Sequence, residues 1–301
     1  MPRHHLTLLI AAAFAAIFMG TIGTISRFSG LESATVTFFR LGFSVLLINL
    51  AVLFPSHRRQ CLKRPHPYVL LSGVALAGFM IFYIEAMNHT TMLIAIMTIY
   101  LAPALSTLIA HFFFNEPLSS RSFRLLLLVL AGFSLVVVAG ENQEALSLSI
   151  TGMSYALLSL FCYTTFLIFN RIIPKSYPEL PKASWQFLIG TLCVAPFALA
   201  AGFTLSTPQW GWMFLAGLFP GFLGIALAIY AINRLPTATF ATISYLEPIV
   251  AASLGWVFFA EALTPLQLIG GGAIIIAGIL QSRTPYSHCN KMAVQEYDAI
   301  K

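Results

Sequence analysis

Two stretches decide the reading: TIYLAPALSTLIAHFFFNEPL (Thr98–Leu118) and ISYLEPIVAASLGWVFFAEAL (Ile243–Leu263). Each opens near Tyr-Leu-x-Pro and closes near Phe-Phe-x-Glu. A shift of 145 residues superposes them without a gap, setting Tyr100 on Tyr245, Leu101 on Leu246, Pro103 on Pro248, Glu116 on Glu261 and Leu118 on Leu263. Upstream, Ala86-Met87-Asn88 falls on Ala231-Ile232-Asn233, and Phe39-Arg40 falls close to Trp185-Gln186. Downstream, after a short gap, Gly132, Ala139 and Gly140 fall on Gly270, Ala277 and Gly278. Polar and proline positions carry the match, so chance similarity of two apolar stretches does not explain it.

The surrounding chain says what kind of molecule repeats itself. Of 301 residues, 58% are hydrophobic and only 9% charged, and the mean hydropathy is +0.86. Soluble domains carry about 25% charged residues, because a globule needs a wetted surface. Here most of the surface must meet lipid. Apolar runs of bilayer-crossing length, divided by short polar breaks, fall at 6–26, 34–54, 68–87, 92–114, 123–140, 150–170, 184–203, 211–233, 237–259 and 264–281. Such lengths predict helices; a membrane barrel gives short alternating segments instead. The expectation is an all-α integral membrane protein of ten transmembrane helices. A cleaved signal peptide after MPRHH is the alternative for the first run, but that run outlasts a normal signal core and a second follows at once.

The net charge of +6 is a signal of orientation, not of nucleic-acid binding. All of the 16 Lys and Arg residues except Arg27 and Arg40 flank one face of this ten-span scheme. By the positive-inside rule that face is cytoplasmic, with both termini on it. The repeat divides the spans five and five. Five is odd, so the second copy enters the membrane inverted. HRRQCLKRPH (His57–His66) follows the second span, whereas the equivalent break after the seventh, TLSTPQW (Thr204–Trp210), has no charge. The expected domains are a first five-helix repeat over 1–145, a second, inverted one over 146–283, and a disordered cytoplasmic tail over 284–301. Two inverted halves that rock about a central site are a transporter architecture.

Proline followed thirteen residues later by glutamate, an arginine early in the second span and the paired halves resemble the EamA type of the drug/metabolite transporter superfamily. YLEP…FFAEAL and its first-half copy YLAP…FFFNEPL carry the resemblance, which covers nearly the whole membrane part. Where the family usually has Trp-Gly near the end of the first span, this chain has Met19-Gly20. The resemblance implies a ten-helix carrier of small organic solutes.

Candidate substrate-binding or coupling residues are those whose polarity is costly in lipid. Glu85 stands inside an apolar run, where a carboxylate costs on the order of 3 kcal/mol and usually faces a cavity or a partner. It is read as a cation-binding or proton-carrying group, with Asn88 and His89 close by; the alternative is a carboxylate near the helix end that meets interfacial water or a neighbouring helix. Glu247 belongs to the LEP motif, on a stripe with Ser244, Ala251 and Gly255 that also suits close helix contact. Arg40 has three readings: a substrate carboxylate, a helix end, or Glu32. Tyr83, Tyr100, Tyr230 and Trp185 are candidates for an aromatic cage around an organic cation, and Asn233 is the repeat equivalent of Asn88. Pro103 and Pro248 are read as hinges or packing kinks, and Glu116 and Glu261 as helix caps or gate contacts.

No catalytic constellation, metal-ligand spacing, nucleotide-binding loop or cysteine pair is present in the sequence, so no cofactor and no metal are expected. The expected function is secondary transport, by alternating access across the bacterial inner membrane, of a small amphipathic metabolite such as an amino acid or an amine-bearing derivative, S-adenosylmethionine included. Export of drug-like organic cations is the alternative, and a membrane-embedded enzyme, channel or sensor the alternative of another class. The expected partners are the solute and the lipid bilayer, with protons as a coupling ion and a homodimer left open, and no nucleic acid.

Overall fold

The computed structural model describes residues 3–50, 65–114, 120–140, 149–174, 176–202, 205–232, 234–235, 240 and 243–282. The expected tail, Asn233, Glu116 and the cations Arg58, Arg59, Lys63 and Arg64 lie outside the described residues. Among those described, every regular element is helical, as the apolar runs predict.

The first run forms α1 (Arg3–Gly20) and α2 (Ile22–Ser29), followed by α3 (Ser33–Leu50), α4 (Pro67–His89), α5 (Met92–Ile99), α6 (Ala102–Phe114) and α7 (Ser120–Gly140). The remainder comprises α8 (Ile150–Ile172), α9 (Glu179–Ala201), α10 (Thr207–Ala216), a π-helical stretch (Gly217–Leu223), α11 (Gly224–Ile232), α12 (Leu246–Phe259) and α13 (Pro265–Ser282). Side chains start several of these. Thr91 accepts from the Ile94 N–H at 3.2 Å and Ser149 from the Gly152 N–H at 2.8 Å. Thr264 and Gln267 cap α13 reciprocally, each satisfying a donor that the first helical turn leaves open.

Seven helical runs are long and apolar enough to cross a membrane: Leu6–Ser29, Ser33–Leu50, Pro67–His89, Met92–Phe113, Ile150–Ile172, Glu179–Ala200 and Thr207–Ala231. Three shorter apolar helices, Phe123–Ala139, Leu246–Phe259 and Pro265–Leu280, stand where the fifth, ninth and tenth spans are expected. Phe112, Phe113, Phe161, Phe197, Trp256 and Val257 are exposed. An exterior of such side chains suits lipid, where helices satisfy their own backbone polar groups.

Four runs expected to be continuous are interrupted, the first run at Thr21 between α1 and α2. The fourth breaks at Tyr100–Leu101 between α5 and α6, and in the ninth α12 begins only after Tyr245. Pro103 and Pro248 are therefore not interior kinks. Each falls in the first turn of a restarted helix, where the missing N–H has no intrahelical partner to lose. In the eighth run Pro220 sits inside the π-helical stretch; a wider turn relieves the clash between its ring and the preceding turn.

Helix neighbours come in matching pairs. α4 packs on α8 as α11 packs on α1, and α5 and α6 meet α8 as α12 meets α1. α3 packs on α9, α5 on α12 and α7 on α13, each an element against its own repeat counterpart. Where α7 crosses α13, a Cβ on Gly132 would stand 2.7 Å from the Gly270 carbonyl oxygen, so the two backbones touch at equivalent glycines. The largest buried cluster surrounds α5, every residue of which is buried, with Ile22, Tyr83, Ile84, Met87, Val136, Met213 and Ala251 around it.

Candidate functional site

The two helix breaks meet. Tyr100 caps the end of α5 and Tyr245 the start of α12, and their ring centroids are 5.2 Å apart. The single proton of the Tyr100 hydroxyl is shared between the Ser244 carbonyl at 3.0 Å and Glu247 Oε2 at 3.4 Å. Glu247 lies in the first turn of α12, where the helix's unpaired N–H groups favour a negative charge.

Arg40 reaches the same region from α3. It is only 6% exposed, donates from Nη2 to the Pro220 carbonyl at 3.3 Å, and among the described residues has no hydrogen-bond partner on Nε. Gly221 makes this approach feasible, because a Cβ there would stand 3.1 Å from the Arg40 carbonyl oxygen. Arg40, Tyr83 of α4, Tyr100 and Tyr163 of α8 all lie in the electrostatic field of the Glu247 carboxylate, and Tyr100 is hydrogen-bonded to it. Tyr83 is buried, and its ring joins that of Tyr163 through Phe79, at 5.8 and 4.6 Å. Glu247, Tyr100, Tyr163 and Tyr245 are each partly exposed.

Arg40, Tyr83, Tyr100 and Glu247 are thus brought together, and the remaining sequence candidates are not. Glu85, two residues after Tyr83, leaves α4 on the opposite side. Its Oε1 accepts from Ser33 Oγ at 2.7 Å and its Oε2 lies 3.6 Å from His89 Nε2. Asn88 is exposed and donates to the same Ser33 hydroxyl at 3.4 Å. Tyr230 lies half-buried on α11, its ring 4.4 Å beneath the Arg234 guanidinium. Trp185 lies half-buried on α9; it is the neighbouring Gln186, itself buried, that ties α9 to Ser72 of α4 and Asn170 of α8.

Tyr163 and Pro220 were not among the candidates. An aromatic in a span reads like lipid-facing bulk, but the Pro-Gly pair inside the eighth run does signal an irregular helix. Glu261, read as a cap or gate contact, accepts from the Met92 N–H at 2.8 Å and pairs with Arg27 at 2.5 Å. No group of three His, Cys, Asp or Glu able to hold a metal is present among the described residues.

Chemically, the cluster offers a buried guanidinium with an unused donor, a carboxylate and several phenol rings. That set matches a solute carrying both a carboxylate and an amine: Arg pairs with carboxylates through its planar fork, and Glu with aromatic faces suits an ammonium.

The model of the EamA-like transporter family matches residues 6–138 and again 150–283. The threonine/homoserine exporter RhtA of Escherichia coli K12 is 27% identical over 284 residues, covering 93% of this chain and 92% of that protein. An uncharacterized transporter of Archaeoglobus fulgidus is 26% identical, over 90% of this chain and 94% of its own. The pseudopaline exporter CntI of Pseudomonas aeruginosa is 23% identical, over 84% and 87%. A solved crystal structure at 18% identity shares the fold, with a TM-score of 0.64 over 91% of this chain and 96% of that one. The named relatives are transporters and exporters, not enzymes. Together with the apolar helices, they make this a multi-pass membrane protein that moves small molecules, and the chain belongs to the EamA-like transporter family.

Proposed function

We propose that the protein is a secondary carrier of a small zwitterionic metabolite of the amino-acid type, held between Arg40 and Glu247. The observation that carries this is the buried Arg40, whose Nε has no partner among the described residues and whose charge is felt by the carboxylate of Glu247. A buried donor left open is costly unless something else meets it, and a solute carboxylate would. The solute's amine then meets Glu247 and the tyrosine rings. The likeness to a threonine/homoserine exporter supports the amino-acid class, and S-adenosylmethionine is a larger member of the same chemical type. Drug-like cations form the second reading, favoured by the aromatic wall alone; they have no use for Arg40.

Transport proceeds by alternating access between two five-span halves of opposite orientation, in the inner membrane, with both termini cytoplasmic. The matched helix pairs and the meeting of equivalent positions at Tyr100 and Tyr245 support such a two-fold arrangement. Glu85 lies apart from the cluster, so the role proposed for it is proton coupling, in company with His89, and not solute contact.

A thermal-unfolding screen of purified protein against amino acids, amines, nucleosides and S-adenosylmethionine tests the solute class. A ligand of the folded state raises the midpoint with its concentration. Stabilisation by zwitterions that vanishes in Arg40→Ala supports the proposal; stabilisation by amines lacking a carboxylate, unchanged in Arg40→Ala, favours the cation reading.

A further inference from the structure

We infer that Arg27 and Glu261 form a latch that closes one mouth of the transport path and opens in the transport cycle. This rests on alternating access as proposed above but not on the identity of the solute.

Four chain segments end at this point. Arg27 occupies the last turn of α2. Its Nη1 donates to Glu261 Oε1 at 2.5 Å, its Nη2 to the carbonyls of Met87 and, at 2.9 Å, Thr90, and its Nε to the Met87 carbonyl at 3.1 Å. Those carbonyls close α4. Glu261 follows the end of α12 and accepts with its second oxygen from the Met92 N–H, which opens α5. Arg27 and Glu261 belong to different matches of the family model, 6–138 and 150–283, so the contact ties one half of the repeat to the other. The guanidinium also lies 4.9 Å from the Phe259 ring centroid, and Phe28 stacks on Trp212 and meets Phe258 and Phe259, covering the pair with aromatic surface.

Two features distinguish a latch from a permanent tie. Apart from each other, the Arg27 and Glu261 side chains hydrogen-bond, among the described residues, groups at helix ends: the carbonyls finishing α4 and the N–H starting α5. Such groups lack intrahelical partners by geometry, and water satisfies them when the chain there becomes wet. Release uncovers the buried Met92 N–H and the two carbonyls, which the water entering an opened mouth would satisfy. Second, α5 and α12, which pack on each other, each run from the latch to the solute site. α5 has Met92 at the latch and Tyr100 at the site; α12 has Glu247 at the site and leads to Glu261 at the latch. At about 1.5 Å per residue both are stiff rods of a few turns. A movement of either at the solute end is transmitted to the pair.

Glu261 is aimed into this junction by a constrained turn. Ala260 has φ 54°, a left-handed conformation that alanine rarely adopts. The turn is fastened by the Glu261 N–H donating to the Gly255 carbonyl at 3.2 Å.

The test places a single cysteine at Ala251, one turn beyond Glu247 on α12, in an otherwise cysteine-free chain. Its reaction with a membrane-impermeant thiol reagent is measured in right-side-out and inside-out vesicles. In the parent the reaction from the latch side is slow. Glu261→Gln is expected to accelerate it at least fivefold from that side only, and Glu261→Asp, which keeps the carboxylate, to accelerate it less. Should Glu261→Gln fail to fold, Arg27→Lys replaces it: a compact ammonium lacks the planar fork that spans the two carbonyls and the carboxylate, and the rate should rise at least twofold. Folded variants with an unchanged labelling rate, or with equal acceleration from both sides, overturn the latch. Loss of solute stabilisation with labelling behaving as expected would instead count against the solute reading alone.

Discussion

Tyr100 and Tyr245, which the internal repeat places at the same position of its two copies, lie ring against ring at 5.2 Å between the ends of α5 and α12. Only one of them reaches the carboxylate: Tyr100 shares its hydroxyl proton between Glu247 and the Ser244 carbonyl. Two equivalent breaks thus make one asymmetric site, because the position of Glu247 is occupied by Ala102 in the first copy.

Removing that hydroxyl should weaken the site without unfolding the protein. Tyr100→Phe leaves the ring in place and deletes one hydrogen bond shared between two acceptors, worth about 0.5–1.5 kcal/mol net. The expected outcome is a roughly three- to tenfold rise in KM for solute flux into proteoliposomes, with a near-normal unfolding midpoint. Tyr245→Phe, whose hydroxyl is not the one bonded to Glu247, should change KM less than twofold.

Glu85 separates coupling from binding. Its partners are Ser33 and His89 at the junction of α3 and α4, away from Arg40. Glu85→Gln should leave solute affinity within twofold while flattening the dependence of uptake on an imposed proton gradient. Binding by thermal shift and flux across a series of imposed proton gradients check the two halves of this statement. A large loss of affinity would return Glu85 to the solute site.

The crossing of α7 and α13 is a packing prediction. Neither Gly132 nor Gly270 tolerates a methyl group, since a Cβ on Gly270 would stand 2.5 Å from the Gly132 carbonyl oxygen. Gly132→Ala should push the helices apart and destabilise by about 1–3 kcal/mol, the usual cost of overpacking. Unfolding in detergent, followed by tryptophan fluorescence, should show a lowered midpoint, whereas Gly272→Ala on the same helix, with open space at its Cβ, should change little.

Ala260 makes the opposite prediction. Its left-handed conformation costs about 1 kcal/mol that glycine would not incur, partly offset by the freer unfolded chain. Ala260→Gly should raise the unfolding midpoint by a degree or so and leave flux intact, provided the turn is only a pedestal for Glu261.

Much of this was legible in the residues. Lipid as solvent followed from 9% charged residues, and the repeat from Tyr, Pro and Glu standing in register. The helix breaks were not legible: hydropathy reports what a side chain prefers, not where the backbone stops, so 92–114 looked like one rod. Pro103 and Pro248 marked the right places but suggested kinks, because a proline in a long apolar run looks interior until the preceding break is seen. Arg27 and Glu261 each stood out as charges among apolar neighbours, yet their pairing joins residues 234 positions apart and needs the fold. Tyr83 and Glu85 show the converse: close in sequence, they leave α4 in different directions.

The most direct measurement is counterflow in proteoliposomes loaded with threonine, comparing external labelled threonine, threonine amide and 3-hydroxybutyrate. The amide lacks the carboxylate and the hydroxy acid lacks the amine, so each meets only one of Arg40 and Glu247. Two-ended recognition predicts exchange of threonine, at least tenfold slower exchange of either analogue, and loss of threonine exchange in Arg40→Ala. Exchange of the amide at the rate of threonine, undiminished in Arg40→Ala, would contradict a carboxylate site at Arg40 and leave a cation carrier in its place.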